Sequence, residues 1–300
     1  MIYEQLHLLV TRMWEIYAAQ VPAIISLAVL FTILTVFRSQ ASSPEKVWWR
    51  NPGLATDACN FIVNAVLARY ARVAYILAIF FLVSGAASST AIEDYFNNGR
   101  GPLHGLPFWW QVAIYLLLTD FLSYWFHRVF HGGSFWKYHA IHHSAKQVDW
   151  TTAYRLHPVN MLLQPSLIGV AMLMLGISPE VVVFLVPWDI FSAALVHANV
   201  KWTFGPLKYV IASPVFHRWH HCLPDDGGDT NFAPTFAFWD VLFGTFYMPE
   251  GRLPRLFGVE DKEFPENYLQ QLIYPFKPAA EPAPAGAMLK PQTPAAGHAN

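Results

Sequence analysis

Residues 127–143 read His127-Arg-Val-Phe-His131, then Gly-Gly-Ser-Phe-Trp-Lys-Tyr, then His139-Ala-Ile-His142-His143. On a helix the i,i+4 spacing places His127 and His131 on one face, and the i,i+3,i+4 spacing does the same for His139 with His142 and His143. A third box, His217-Arg-Trp-His220-His221, repeats the second box's pattern 78 residues later. His157, inside Arg155-Leu-His157-Pro158, and His197, inside His197-Ala-Asn199, bring to ten of thirteen the histidines between positions 127 and 221. His7, His104 and His298 lie outside and have no assigned role. Neutral imidazole is a ligand for zinc, copper, iron and nickel. Ten imidazoles exceed the three or four that one zinc takes. The pattern therefore predicts a dinuclear site with four to five histidines per ion: His127, His131, His139, His142, His143, His157, His197, His217, His220 and His221. So many rings beside an apolar bundle would otherwise leave buried nitrogens unsatisfied.

The composition sets this cluster in a membrane. Of 300 residues, 54% are hydrophobic and only 13% charged, too little polar surface to coat a soluble globule. A net charge of -1 provides no positive field for nucleic acid. Cys59 and Cys222 are too few for a disulfide scaffold and share no metal-ligand spacing. Working outward from the first box, Leu106 to Phe126 is an apolar run broken only by Asp120, and Val21 to Phe37 and Val73 to Ile92 are uncharged. Pro158 to Pro179 and Val181 to Val196 form a pair around the Gly176-Ile177-Ser178-Pro179 turn, with Asp189 as the single acid. Runs of this length are candidate membrane helices. The expected fold is an all-α integral membrane protein of about four to five transmembrane or membrane-embedded helices with a cytoplasmic, histidine-rich helical cap.

Lys and Arg counts orient the chain. The stretch 38–72 holds Arg38, Lys46, Arg50, Arg69 and Arg72, whereas 93–105 holds Arg100 alone, which puts the first in the cytoplasm and every histidine box on that same side. The expected organisation is an N-terminal membrane region (1–105) with two spans and a cytoplasmic interfacial loop, a dimetal domain (106–250), a cytoplasmic segment (251–280) and a disordered Ala/Pro/Gly-rich tail (281–300). Asp120 lies seven residues before His127, nearly two helical turns and so on the same face. A carboxylate inside a span reads as functional, and a role orienting a ligand's second nitrogen is expected of it. Asp189 follows the same logic less strongly. The aromatic residues, 16% of the chain, gather near span ends as in an interfacial belt.

The combined boxes resemble the signature of the membrane fatty acid hydroxylase / sterol desaturase superfamily: HxxxH at His127/His131, HxxHH at His139/His142/His143, and a later HxxHH at His217/His220/His221. Asp120-Phe-Leu-Ser-Tyr-Trp-Phe-His-Arg looks like that family's lead into the first box. Ser213-Pro-Val-Phe-His-Arg-Trp-His-His, Asn231 and Trp239-Asp-Val-Leu-Phe-Gly-Thr-Phe resemble its C-terminal half. The resemblance covers about Trp109 to Pro249. It implies two Fe ions, O2 as co-substrate, a lipid substrate (sterol, fatty acyl or related) that is hydroxylated or desaturated, and an external electron donor of the cytochrome b5, ferredoxin or reductase kind. Asn199 and Asn231 join Asp120 as candidate catalytic residues. The family's fatty-acid 2-hydroxylases carry a further histidine one turn before the position of His197; here that place is Ala193, which favours the sterol-desaturase-like branch and leaves His157 to supply a ligand.

Two other classes fit less well. A zinc-dependent membrane lipid hydrolase would place Glu inside H-E-x-x-H, where this chain has Arg128 and Arg218. A non-enzymatic metal-binding or transport protein would hold its ligands near the midplane of the bilayer, whereas these boxes fall at helix ends and after the last span.

Overall fold

The computed structural model describes residues 21–64 except 35, 38, 39 and 44, the single positions 70, 74 and 78, and residues 101–277. The expected span Val73 to Ile92, apart from positions 74 and 78, and the tail 281–300 lie outside the described residues. Among those described, all regular structure is helical, and the extended contacts are two isolated bridges, Ala41 with Val200 and Cys222 with Phe257. We label the helices α1 (Val21–Leu34), α2 (Leu54–Val63), α3 (Phe108–Phe130), α4 (Trp136–His143), α5 (Pro158–Leu175), α6 (Pro179–His197), α7 (Pro214–His220), α8 (Phe238–Leu242) and α9 (Tyr268–Ile273).

Helix α3 runs for 23 residues, about 34 Å at 1.5 Å per residue. Gly132 and Gly133 break it from α4, and Gly133 takes φ 52°, a conformation that glycine adopts without penalty. Both α5 and α6 start with proline at the first turn, where its missing N–H costs nothing. Helix α5 ends at Gly176 with φ 84°, and Ile177 N–H then donates to Met172 O at 3.1 Å, a left-handed cap that reverses the chain directly into α6. This is the tight hairpin that the Gly-Ile-Ser-Pro turn predicts. Helices α5 and α6 are long and apolar enough to cross a bilayer. Helix α3 has the length, but its Gln111, Asp120 and His127 dilute its hydropathy.

The register of the bundle follows from its packing. Val112 of α3 packs with Ile168, Met172, Ile177, Val181 and Leu185 of the hairpin. Gln111 accepts from Ser178 N at 2.8 Å and donates to Leu106 O at 2.9 Å, latching the start of α3 to the hairpin turn. Since α3 begins beside the α5/α6 turn, its C-terminus lies beside the start of α5 and the end of α6. That end carries the histidines. Helix α1 packs its Leu27 and Phe31 on Trp150, Ala194 and Val200, with the Phe31 and Trp150 rings stacked at 5.8 Å.

Candidate metal centre

The first box ends α3, the second fills α4, His197 is the last residue of α6, and the third box spans α7 and its C-cap. Nine of the ten expected histidines converge into two adjoining groups. His127, His131, His139, His143 and His220 form one; His142, His197, His217 and His221 form the other; in each, one nitrogen per ring lies within 4.8 Å of all the rest. The boxes divide between the groups by helical angle. Residues four apart differ by about 40° and three apart by about 60° in the opposite sense at 3.6 residues per turn. The i,i+4 pairs His127/His131, His139/His143 and His217/His221 accordingly share a group, whereas His142 and His220, at i+3, turn to the other. The groups abut, with the His143 and His221 rings stacked at 4.5 Å between centroids.

The donor chemistry fits cations. In the five-histidine group Nε2 of every ring is buried without a hydrogen-bond partner, an arrangement rare for buried polar atoms unless an ion or water completes it. In the four-histidine group the Nε2 atoms face one another: His142 to His197 at 3.2 Å, His197 to His217 at 3.0 Å and His217 to His221 at 3.3 Å. Neutral rings offer one N–H each, so such a chain cannot satisfy every nitrogen internally. Protonating the rings does not relieve it. Burial, aided by the neighbouring imidazoles, holds His139, His142, His143, His217, His220 and His221 well below the ordinary value of 6.5, so they are neutral at pH 7, the state that binds metal.

Opposite nitrogens fix the ring orientations. Nδ1 of His127 lies 2.7 Å from Phe232 O, that of His220 2.7 Å from Thr230 O, and that of His131 2.7 Å from the Asp229 carboxylate. His139 pairs with Asn160 Oδ1 at 3.0 Å, His142 with Arg155 O at 3.2 Å and His197 with Ala193 O at 2.7 Å.

The structure does not bring His157 to either group. It caps α5, accepting from Val159 N–H on Nδ1 at 3.1 Å, and its Nε2 lies 3.1 Å from Leu272 O. Asp120 makes no hydrogen bond to a histidine; its Oδ2 accepts from Phe236 N–H at 3.0 Å. Asp189 is exposed on α6, two turns before His197. Asn199 faces away from the rings, accepting from Ser43 N–H and donating to Ser43 O and Lys46 O. Asn231 donates to Phe216 O and Tyr247 O and accepts from Tyr247 N–H, joining α7 to the chain after α8. Asp229, Asn160 and Arg155, which touch the rings directly, are not singled out by the sequence reading.

Residues 112–245 match the family model described as fatty acid hydroxylase. This region is therefore similar to the fatty acid hydroxylase family, in agreement with the resemblance of its histidine boxes. Among its relatives are the ornithine lipid hydroxylase OlsE of Rhizobium tropici, 32% identical over 57% of this chain and 51% of that one, and the human alkylglycerol monooxygenase, 30% identical over 65% and 42%. The C-4 methylsterol oxidase erg25 of Schizosaccharomyces pombe is 27% identical over 45% and 47%. The chain thus spans about half the length of these relatives. No solved structure matches it.

Proposed function

We propose that this protein is a multi-pass membrane di-iron oxygenase that hydroxylates or desaturates a lipid, using O2 and electrons from an external donor. The observation that carries the reading is the division of nine imidazoles into a group of five and a group of four, every one of the first with an unpartnered Nε2. Relatives whose names specify ornithine lipid hydroxylation, alkylglycerol monooxygenation and methylsterol oxidation support the lipid substrate class.

The chemistry a pair of irons supplies when bound is activation of O2 and attack on an unactivated C–H bond. His127, His131, His139, His143 and His220 would hold one ion, and His142, His197, His217 and His221 the other. The chain contributes placement and dryness. The four-histidine group is buried, and so is Nε2 of every ring in the five-histidine group, which shields both groups from water. Val183, Phe184, Val186 and Trp188 of α6 and Trp109, Leu117 and Trp125 of α3 present exposed apolar surface, which suits contact with acyl chains. The position of the histidines at one end of these helices supports a centre at the bilayer boundary rather than its midplane, and the lysine and arginine bias of residues 38–72 supports the cytoplasmic boundary. From there a donor protein could reach the centre without crossing lipid.

The test is metal analysis of the purified chain, expected to show about two irons, together with oxygen uptake in the presence of reductant and a lipid extract. Lipid mass spectrometry of cells with and without the gene should reveal gain of one oxygen atom or loss of two hydrogens. His142→Ala and His220→Ala should abolish turnover while membrane insertion persists. A chain that binds zinc alone and takes up no oxygen would overturn the proposal.

A further inference from the structure

Three of the five rings in the larger group take their orienting acceptor from four consecutive residues. Asp229 carboxylate, Thr230 O and Phe232 O face His131, His220 and His127, each at 2.7 Å. That segment is held in an unusual shape. Asp229 and Asn231 have φ 57° and 56°, left-handed conformations that cost non-glycine residues free energy and persist only where surroundings enforce them. Asn231 N–H donates to Thr245 O at 2.9 Å, and Asp240, fully buried, clamps the C-terminal end of the segment: one carboxylate oxygen accepts from Phe232 N–H at 2.8 Å and from the Thr245 hydroxyl at 2.7 Å, and the other from Ala233 N–H at 2.9 Å. None of these contacts reaches the four-histidine group.

The smaller group has its own support, from a different part of the chain. His142 takes Arg155 O as its acceptor. The Arg155 side chain is buried, with Nε donating to Asp57 at 2.5 Å and Nη2 to Gly53 O at 3.1 Å; the second Asp57 oxygen accepts from the Thr151 hydroxyl at 2.7 Å. A Cβ at Gly53 would stand 2.0 Å from Arg155 Nη2, so a side chain there would displace the guanidinium from its place. Asp57 and Gly53 precede the region that matches the family, so the N-terminal segment reaches the centre as well as flanking it.

We infer that two buried carboxylates govern the two ions separately: Asp240, through residues 229–232, positions the five-histidine group, and Asp57, through Arg155, positions the four-histidine group. The inference rests on the dinuclear reading above. Both are positioning residues, since neither touches a ligand nitrogen.

The experiment uses the full chain in lipid nanodiscs, loaded with iron-57, and reads iron per chain, chelator release and the Mössbauer spectrum. Wild type should show two ions with distinguishable doublets. Asp240→Asn should weaken one ion by about 10- to 100-fold, the range for partners that orient ligands, and Asp57→Asn should weaken the other by a similar factor, so that the two variants lose different doublets. Asp229→Ala, at a side chain 56% exposed, and Gly53→Ala, which keeps every charge, should reproduce the respective losses if either asparagine variant fails to fold. Loss of the same doublet in both arms, or a parallel fall of both, would overturn the inference by reducing the effect to general destabilisation. Two intact doublets in all variants would overturn it too, while leaving the dinuclear reading standing. A wild type without a second ion would overturn both.

Discussion

Asn199 follows directly on a metal-group histidine by two residues, and replacing it by alanine separates a chemical role from a structural one. Its side chain accepts from Ser43 N–H at 3.0 Å and donates to Ser43 O at 2.9 Å and Lys46 O at 3.0 Å, while the main chain around it pairs with residues 40 and 42. These bonds fasten the segment after α1 to the end of α6. Asn199→Ala removes three hydrogen bonds, and Ser43 is buried, so water replaces them poorly. At about 1 kcal/mol each the loss is about 3 kcal/mol. For a chain of this size, with about 2–4 °C per kcal/mol, the midpoint should fall by about 6–12 °C. The assay is thermal unfolding followed by tryptophan fluorescence in nanodiscs, paired with iron content and turnover per folded molecule at a temperature below both midpoints. Iron and turnover should match wild type. An unchanged midpoint with lost turnover would refute the reasoning and return Asn199 to the chemistry.

His157→Ala should retain both ions and lose about 1 kcal/mol, the contribution of a helix cap, as read by metal analysis and thermal unfolding; loss of iron would place it in the centre after all. Gln111→Leu should cost about 3 kcal/mol from three lost bonds, to His104 O, Leu106 O and Ser178 N–H, and expose the 176–178 turn to protease, with iron content unaffected. For pH, the buried histidines of α4 and α7 with its C-cap lie below 6.5 in the folded chain, so below about 6.5 the unfolded state binds more protons and stability falls with pH. The loss begins near pH 6.5 and deepens as the pH is lowered further, because the unfolded chain takes up protons that the buried rings do not. Denaturant midpoints of iron-free protein at pH 7.5, 6.5 and 5.5 should show that decline, and a flat profile would contradict the burial argument.

What sequence spacing conveys here, and what it omits, have a common physical origin. Spacing within a helix is a local angle, so the boxes reveal that His139 and His143 point together. The same periodicity, followed through, separates His142 and His220 from their box neighbours, and groups of five and four rings form from nine histidines rather than ten. Spacing fails once a local alternative competes. His157 precedes proline at a helix start, where an imidazole nitrogen can cap the first turn, and it does so. It fails again for Asp120, whose place on the His127 face is real but whose intended partner is engaged elsewhere: the His127 ring is oriented by Phe232 O, 105 positions later. A backbone carbonyl is supplied by every residue type, so no side chain at 230, 232 or 155 marks the acceptors for His220, His127 and His142. What the sequence can mark is the residue that shapes the backbone around them. Asp240 and Asp57 belong to that class, and each becomes visible only when the fold brings it beside a loop whose carbonyls face a ring.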